Sequence, residues 1–205
     1  MSDQIQSIRD DVAFMKSMAA DEGSLPWGIG AGFFAAGVVY GLPLVLVWAV
    51  LRGLVDLPVG WTSGVGLWST VIYVPLSILI FLKAPKPAPG AATGRAFGAA
   101  WSGVGLITVA MLAVIFIAGS RLHVHLIWQV WTSICFALWG GCWWVVAMLR
   151  PRRGWLWVAL GSLANAVVNA LLIGTRDELL GCSIGILLWL GGPGLLIMLR
   201  AKKSV

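Results

Sequence analysis

The chain has 205 residues, 60% of them hydrophobic and only 11% charged, with 26 glycines and 13 tryptophans. A soluble domain runs nearer to about 45–50% apolar and about 25% charged, so soluble globular, disordered, collagen-like and disulfide-scaffold classes are excluded. The formal charge of +6 does not point to nucleic acid. Its bases are spread over separate segments, and no soluble domain is left to read a base sequence.

The first element in chain order is an amphipathic helix expected over residues 3–22. Ile5, Ile8, Val12, Met15 and Ala19 recur at intervals of three and four and form one apolar stripe. Asp3, Asp10, Asp11, Asp21 and Glu22 cover the remaining surface with Arg9 and Lys16, so this segment carries −3 while the rest of the chain carries +9. A helix lying on anionic lipid has a basic polar face, which this one lacks. The stripe is also too short for a self-associating coiled coil. Docking explains the stripe and the acidity together, either onto a protein partner through Ile5, Ile8, Val12 and Met15 or back onto this chain's own basic loops. Residues 1–26 are therefore read as a cytoplasmic amphipathic unit ahead of a membrane domain over 27–205.

Six stretches contain no Asp, Glu, Lys or Arg: 27–51, 61–82, 96–119, 126–149, 154–174 and 179–199. Each is long enough at 1.5 Å per residue to cross a hydrocarbon core of about 30 Å. All 22 charged side chains lie outside them. The expected fold is an all-α polytopic bundle of six transmembrane helices. Eleven of the fourteen Lys and Arg residues flank one side of these spans, with only Arg52, Arg121 and Arg176 on the other. That asymmetry puts both termini in the cytoplasm. Trp143 and Trp155 are among nine tryptophans at belt positions, whereas Trp101, Trp139 and Trp189 lie deeper, where an indole N–H needs a partner.

The loop before the third span is a Pro/Ala/Gly linker. Pro43, Pro75 and Pro193 allow kinks in spans one, two and six. Gly28/Gly32, Gly37/Gly41 and Gly181/Gly185 are small-xxx-small pairs suited to close helix contact. Thr175 and Glu178 have the spacing of a capping box at the start of span six. Cys135, Cys142 and Cys182 fall within spans and read as small packing residues.

Span five carries Ser162, Asn165 and Asn169 on one face, and span four carries Gln129, Thr132 and Ser133. The four-residue turn between them makes the two antiparallel, so Asn169 matches Gln129 in depth and Asn165 matches Ser133. This cluster reads either as interhelical hydrogen bonding or as a path for a neutral solute. His123 and His125 form an H-x-H pair in a loop, with no Cys, Asp or Glu beside them to complete a metal site. No cofactor motif and no catalytic constellation stands out, and the spans hold no ionisable residue except cysteine, Tyr40 and Tyr73.

Asp11-Val12-Ala13-Phe14-Met15, followed by Asp21-Glu22-Gly23 just ahead of a Gly-rich span, resembles the N-terminal signature of a group of small polytopic bacterial membrane proteins. The resemblance implies a bacterial cytoplasmic membrane and carries no activity with it. The function expected from the sequence is that of an accessory, regulatory or assembly subunit without a catalytic site, in contact with membrane lipid and either a protein partner or a second copy. The alternative is a small permease or channel for a neutral or weakly polar solute, using the polar face of helices 4 and 5.

Overall fold

A computed structural model of the protein describes residues 27–62, 64–84, 92–122, 127–149 and 153–202. Among these residues every regular element is helical. In chain order they are α1 (Trp27–Leu51), a 3₁₀ turn (Val59–Trp61), α2 (Val65–Lys83), α3 (Ala92–Leu122), α4 (Ile127–Leu149), α5 (Arg153–Leu172) and α6 (Glu178–Ile186). A π-helical turn (Leu187–Gly191) then leads into α7 (Gly192–Lys202). Six helices are long and apolar enough to cross a membrane, the sixth being the continuous run Glu178–Ala201 through α6, the π turn and α7. The amphipathic helix expected over 3–22 lies outside the described residues.

The helix ends differ from the sequence reading where a backbone feature overrides the charge boundary. α2 starts at Val65, not 61, because Gly64 takes φ +83 and holds a left-handed turn at the helix start. α3 starts at Ala92, so the end of the Pro/Ala/Gly linker and Arg95 are helical. A single cation ends an apolar run without ending a helix. α6 starts at Glu178 with Asp177 as its cap. The Thr175 hydroxyl accepts from the Asp177 N–H at 3.3 Å and donates to the Leu172 carbonyl at 2.7 Å, while Glu178 accepts from the Gly174 N–H. The expected capping box is replaced by this tighter turn.

The helices form a row. α2 packs on α1, α1 on the sixth span, that span on α5, α5 on α4, and α4 on α3. α1 and the sixth span run antiparallel at glycine distance. A Cβ on Gly37 would lie 2.7 Å from the Gly191 backbone nitrogen, and one on Gly194 would lie 2.7 Å from the Gly30 carbonyl oxygen. Ser183 closes the same interface by donating to the Gly41 carbonyl at 2.8 Å. Such contact needs residues without side chains, and it gains dispersion energy over a dry surface. Of the expected glycine pairs, Gly37/Gly41 therefore serves contact within the chain, and Gly181/Gly185 receives side chains of α5.

The sixth span is the best enclosed, with half of its membrane-length window buried, against 6% in each of α2 and α3. Its π turn has a local cause. Pro193 has no N–H for the Trp189 carbonyl four residues back, and its ring crowds that oxygen in a regular α-helix. The widened turn is instead closed by the Gly192 N–H bonding to the Leu187 carbonyl. The Trp143 indole N–H donates to the Trp189 carbonyl at 3.0 Å. Trp143 is fully buried and stacks on Trp155 at 5.4 Å, so both of these belt-position tryptophans point inward. Phe33, Phe97 and Trp101 complete an aromatic core with them at the Trp27 end of the bundle.

Candidate functional site

Next to that core the helices line a half-open cavity of about 510 Å³. α1 contributes Phe33, Ala36 and Tyr40; α3 contributes Trp101, Val104, Gly105 and Thr108; α4 contributes Trp131, Thr132, Cys135, Phe136 and Trp139. Tyr73 reaches it from α2, and Cys182 and Ile186 from α6. Most of this wall is aromatic or aliphatic, and none of the lining residues carries a formal charge.

The polar groups of the wall residues are hydroxyls, thiols and indole N–H groups, and the Trp101 Nε1 is buried without a hydrogen-bond partner among the described residues. Tyr40 donates to the Thr70 hydroxyl at 3.0 Å, which donates in turn to the Gly66 carbonyl at 2.8 Å. Tyr73 lies with its ring 5.6 Å from that of Tyr40 and reaches the Gly32 carbonyl at 3.5 Å. Thr132 donates to the carbonyl of Gln129. A groove between α1 and α2, near Pro43 and Pro58, is larger, but its flanking Trp61 and Trp68 are exposed on the outside of the bundle.

The polar cluster expected from the sequence sits one layer behind this cavity, where α4, α5 and α6 meet. Ser162 is fully buried and donates to the Phe136 carbonyl at 2.9 Å. Continued antiparallel, that register sets Asn165 level with Ser133 and Asn169 level with Gln129. The Asn169 amide donates to the Asn165 carbonyl on its own helix at 2.9 Å. Gln129 Oε1, Ser133 Oγ, Asn165 Nδ2 and Asn169 Oδ1 are buried without a hydrogen-bond partner among the described residues. Buried polar atoms in this state are uncommon, and each costs about 1–3 kcal/mol.

Phe136 separates the two regions. Its ring borders the cavity and meets Trp139 edge-on at 5.2 Å. On its other side the ring edge and the Asn165 amide converge on the notch left by Gly185, where a Cβ would lie 2.6 Å from Phe136 Cζ. None of Gln129, Ser133, Ser162, Asn165 and Asn169 is among the cavity's lining residues. Ile5, Ile8, Val12 and Met15, together with His123 and His125, lie outside the described residues. Among the described residues no group of three His, Cys, Asp or Glu side chains is placed to hold a metal ion.

At the Leu51 end, Asp177 is held by the guanidinium of Arg52 and by the Trp48 indole N–H at 3.0 Å. The Arg52 hydrogen bond, followed by that from Trp48, holds the Asp177 carboxyl below the usual carboxylate range. The sequence signal for this clamp is the scarcity of charge at that end, which leaves few partners for Arg52. Phe136, Tyr73 and Gly105 carry no sequence signal of their own, because a wall drawn from five helices has no local pattern.

Compared with models of protein families, with curated proteins and with solved structures, the chain matches none.

Proposed function

We propose that this is an integral protein of the bacterial cytoplasmic membrane, with both termini cytoplasmic, that admits a neutral, weakly polar small molecule into its helix bundle as a small permease does. The observation that carries the reading is the uncharged 510 Å³ cavity among the helices. Its volume lies within the range of about 300–1,000 Å³ typical of ligand sites. An ion in such a wall would be desolvated without compensation, so the occupant is uncharged. The unpartnered groups of Gln129, Ser133, Asn165 and Asn169 supply a second, more polar station behind Phe136. The reading assigns no catalytic role to any residue and no cofactor.

Thermal unfolding of the purified protein tests this with uncharged solutes graded from glycerol to benzyl alcohol and indole. A ligand that binds only the folded state raises the unfolding temperature. At least one class of solute is expected to stabilise the wild type and to lose that effect in Gly105→Phe, which adds a ring at the cavity wall. No stabilisation by any member of the series overturns the reading.

A second reading is supported by the charge division between the acidic segment over 1–26, at −3, and the remainder, at +9. In it the chain is an accessory subunit docked to a protein partner, or to a second copy, through Ile5, Ile8, Val12 and Met15. Changing Ile8 and Met15 to Asp in the full chain should release the partner while leaving the bundle intact. Complex mass by light scattering checks this, and an unchanged complex counts against docking.

A further inference from the structure

We infer that the ligand of the 510 Å³ cavity is a neutral amphiphile dissolved in the bilayer, with a hydroxyl or carbonyl head and an extended hydrocarbon body, and that it enters sideways between α2 and α3. This rests on the reading above that the cavity is a ligand site, and names its ligand class and route.

Three observations meet at this place. First, α2 and α3 are the two ends of the row of helices, and among the described residues they share no extended packing with each other. Both are almost entirely surface, with 6% of the membrane-length window buried in each. A helix whose faces are apolar and unburied is surrounded by lipid, so the border between these two is a border with hydrocarbon.

Second, the cavity reaches that border. Tyr73 of α2 lies on one side of it, and Gly105 and Thr108 of α3 on the other. Gly105 is exposed, and a Cβ built on it meets nothing within 4 Å, so no side chain covers the cavity at this point of α3.

Third, the wall has two kinds of surface. Phe33, Trp101 and Trp139 offer ring faces and edges, which bind hydrocarbon and tolerate many shapes. Tyr73 and Thr108 add hydroxyls to the wall on its α2 and α3 sides, able to hydrogen-bond one uncharged polar head. A wholly apolar occupant would make no use of the Thr108 hydroxyl or of the acceptor side of Tyr73, whose O–H reaches the Gly32 carbonyl. A sugar or an amino acid would bring more polar groups than the wall can satisfy.

The test uses the full chain in phospholipid vesicles containing a long-chain alcohol, hexadecanol, with a diazirine in its chain. After photolysis the adducts are mapped by peptide mass spectrometry. The expected result is a several-fold enrichment of adducts on Trp101, Thr108 and Trp139 over Leu106 and Val109, which face outward on α3. Excess unlabelled hexadecanol should remove the cavity adducts and leave those on Leu106. Gly105→Phe should do the same, while Gly98→Phe, equally free of neighbours but outside the cavity, should not. The competition arm needs no variant, so a misfolded Gly105→Phe protein leaves the test intact.

Uniform adducts over cavity and lipid-facing positions, or adducts insensitive to competition, overturn the inference. So does labelling of the cavity by a short, water-soluble diazirine alcohol but not by the long-chain probe. In that last case solute binding measured by thermal unfolding would persist, and the cavity would still be a ligand site, filled from water.

Discussion

The indole N–H of Trp143 on α4 donates to the carbonyl of Trp189, the oxygen that Pro193 leaves without a helical partner. The pair exchanges a defect in one helix for a bond to another, and it does so at a fully buried side chain. Trp143→Phe keeps the ring stacking and removes the donor, so it is expected to destabilise the bundle by about 1–3 kcal/mol. Pro193→Ala restores an N–H four residues after Trp189, and the loss should be smaller in that background. Thermal unfolding of the four proteins of this cycle measures the coupling, and additive effects would mean that the indole does not serve the freed carbonyl.

The contact of Gly37 with Gly191 has no room for a methyl group, since a Cβ on Gly37 would meet the Gly191 backbone at 2.7 Å or less. Backbone atoms cannot swing aside as a flexible side chain does. Gly37→Ala should therefore cost about 1–3 kcal/mol through overpacking. Gly103→Ala on α3 meets nothing within 4 Å and should be neutral or slightly stabilising, because alanine favours the helix. Unfolding temperatures of the two variants check the contrast, and equal effects would argue against a close interface between α1 and the sixth span.

Much of the frame was legible in the sequence for a simple reason. A hydrocarbon-length run without charge is a one-dimensional signal, and α1 occupies the expected 27–51 residue for residue. Prolines and glycines were legible as permissions: Pro193 marked a kink, and Gly37/Gly41 a close contact. The partner in each case was not, since nothing local to Trp143 says that its indole faces the sixth span and not an interfacial belt. The polar face of α4 and α5 was legible by helical spacing. The cavity beside it was not, because Tyr73, Gly105 and Thr132 come together only through the order of helices in the row.

The Arg52–Asp177 clamp gives a pH dependence with a definite sign. Arg52 and Trp48 hydrogen-bond the charged carboxylate and hold the Asp177 pKa below its unfolded value. Its contribution is therefore complete above the ordinary carboxylate pKa, declines as the pH falls below that, and is gone below the lowered folded pKa. The difference in unfolding temperature between wild type and Asp177→Asn should be constant through neutral pH and close only in acid. The group is solvent-exposed, so the difference should be small and should shrink with added salt. A difference that grows toward acid would contradict this assignment.

Ser162 and Asn165 lie less than one helical turn apart on α5 and should respond oppositely. Ser162 makes a satisfied bond to the Phe136 carbonyl inside a closed interface. Ser162→Ala removes it and is expected to cost about 0.6–2 kcal/mol, as interhelical bonds between membrane helices do. Asn165 Nδ2 is buried against the Gly185 notch without a partner, so the resting fold gains little from the amide. Asn165→Leu keeps the heavy-atom count and the branching at Cγ, is bulkier because methyl groups replace the amide oxygen and nitrogen, and removes a buried polar atom, so it should leave the unfolding temperature unchanged or raised where the Gly185 notch takes up the added bulk. On the proposed function, such an amide serves a state in which Phe136 has moved aside for a solute. Asn165→Leu should then weaken solute passage into proteoliposomes while Ser162→Ala lowers stability alone. Loss of expression or a large fall in unfolding temperature in Asn165→Leu would instead make the amide part of the interhelical packing.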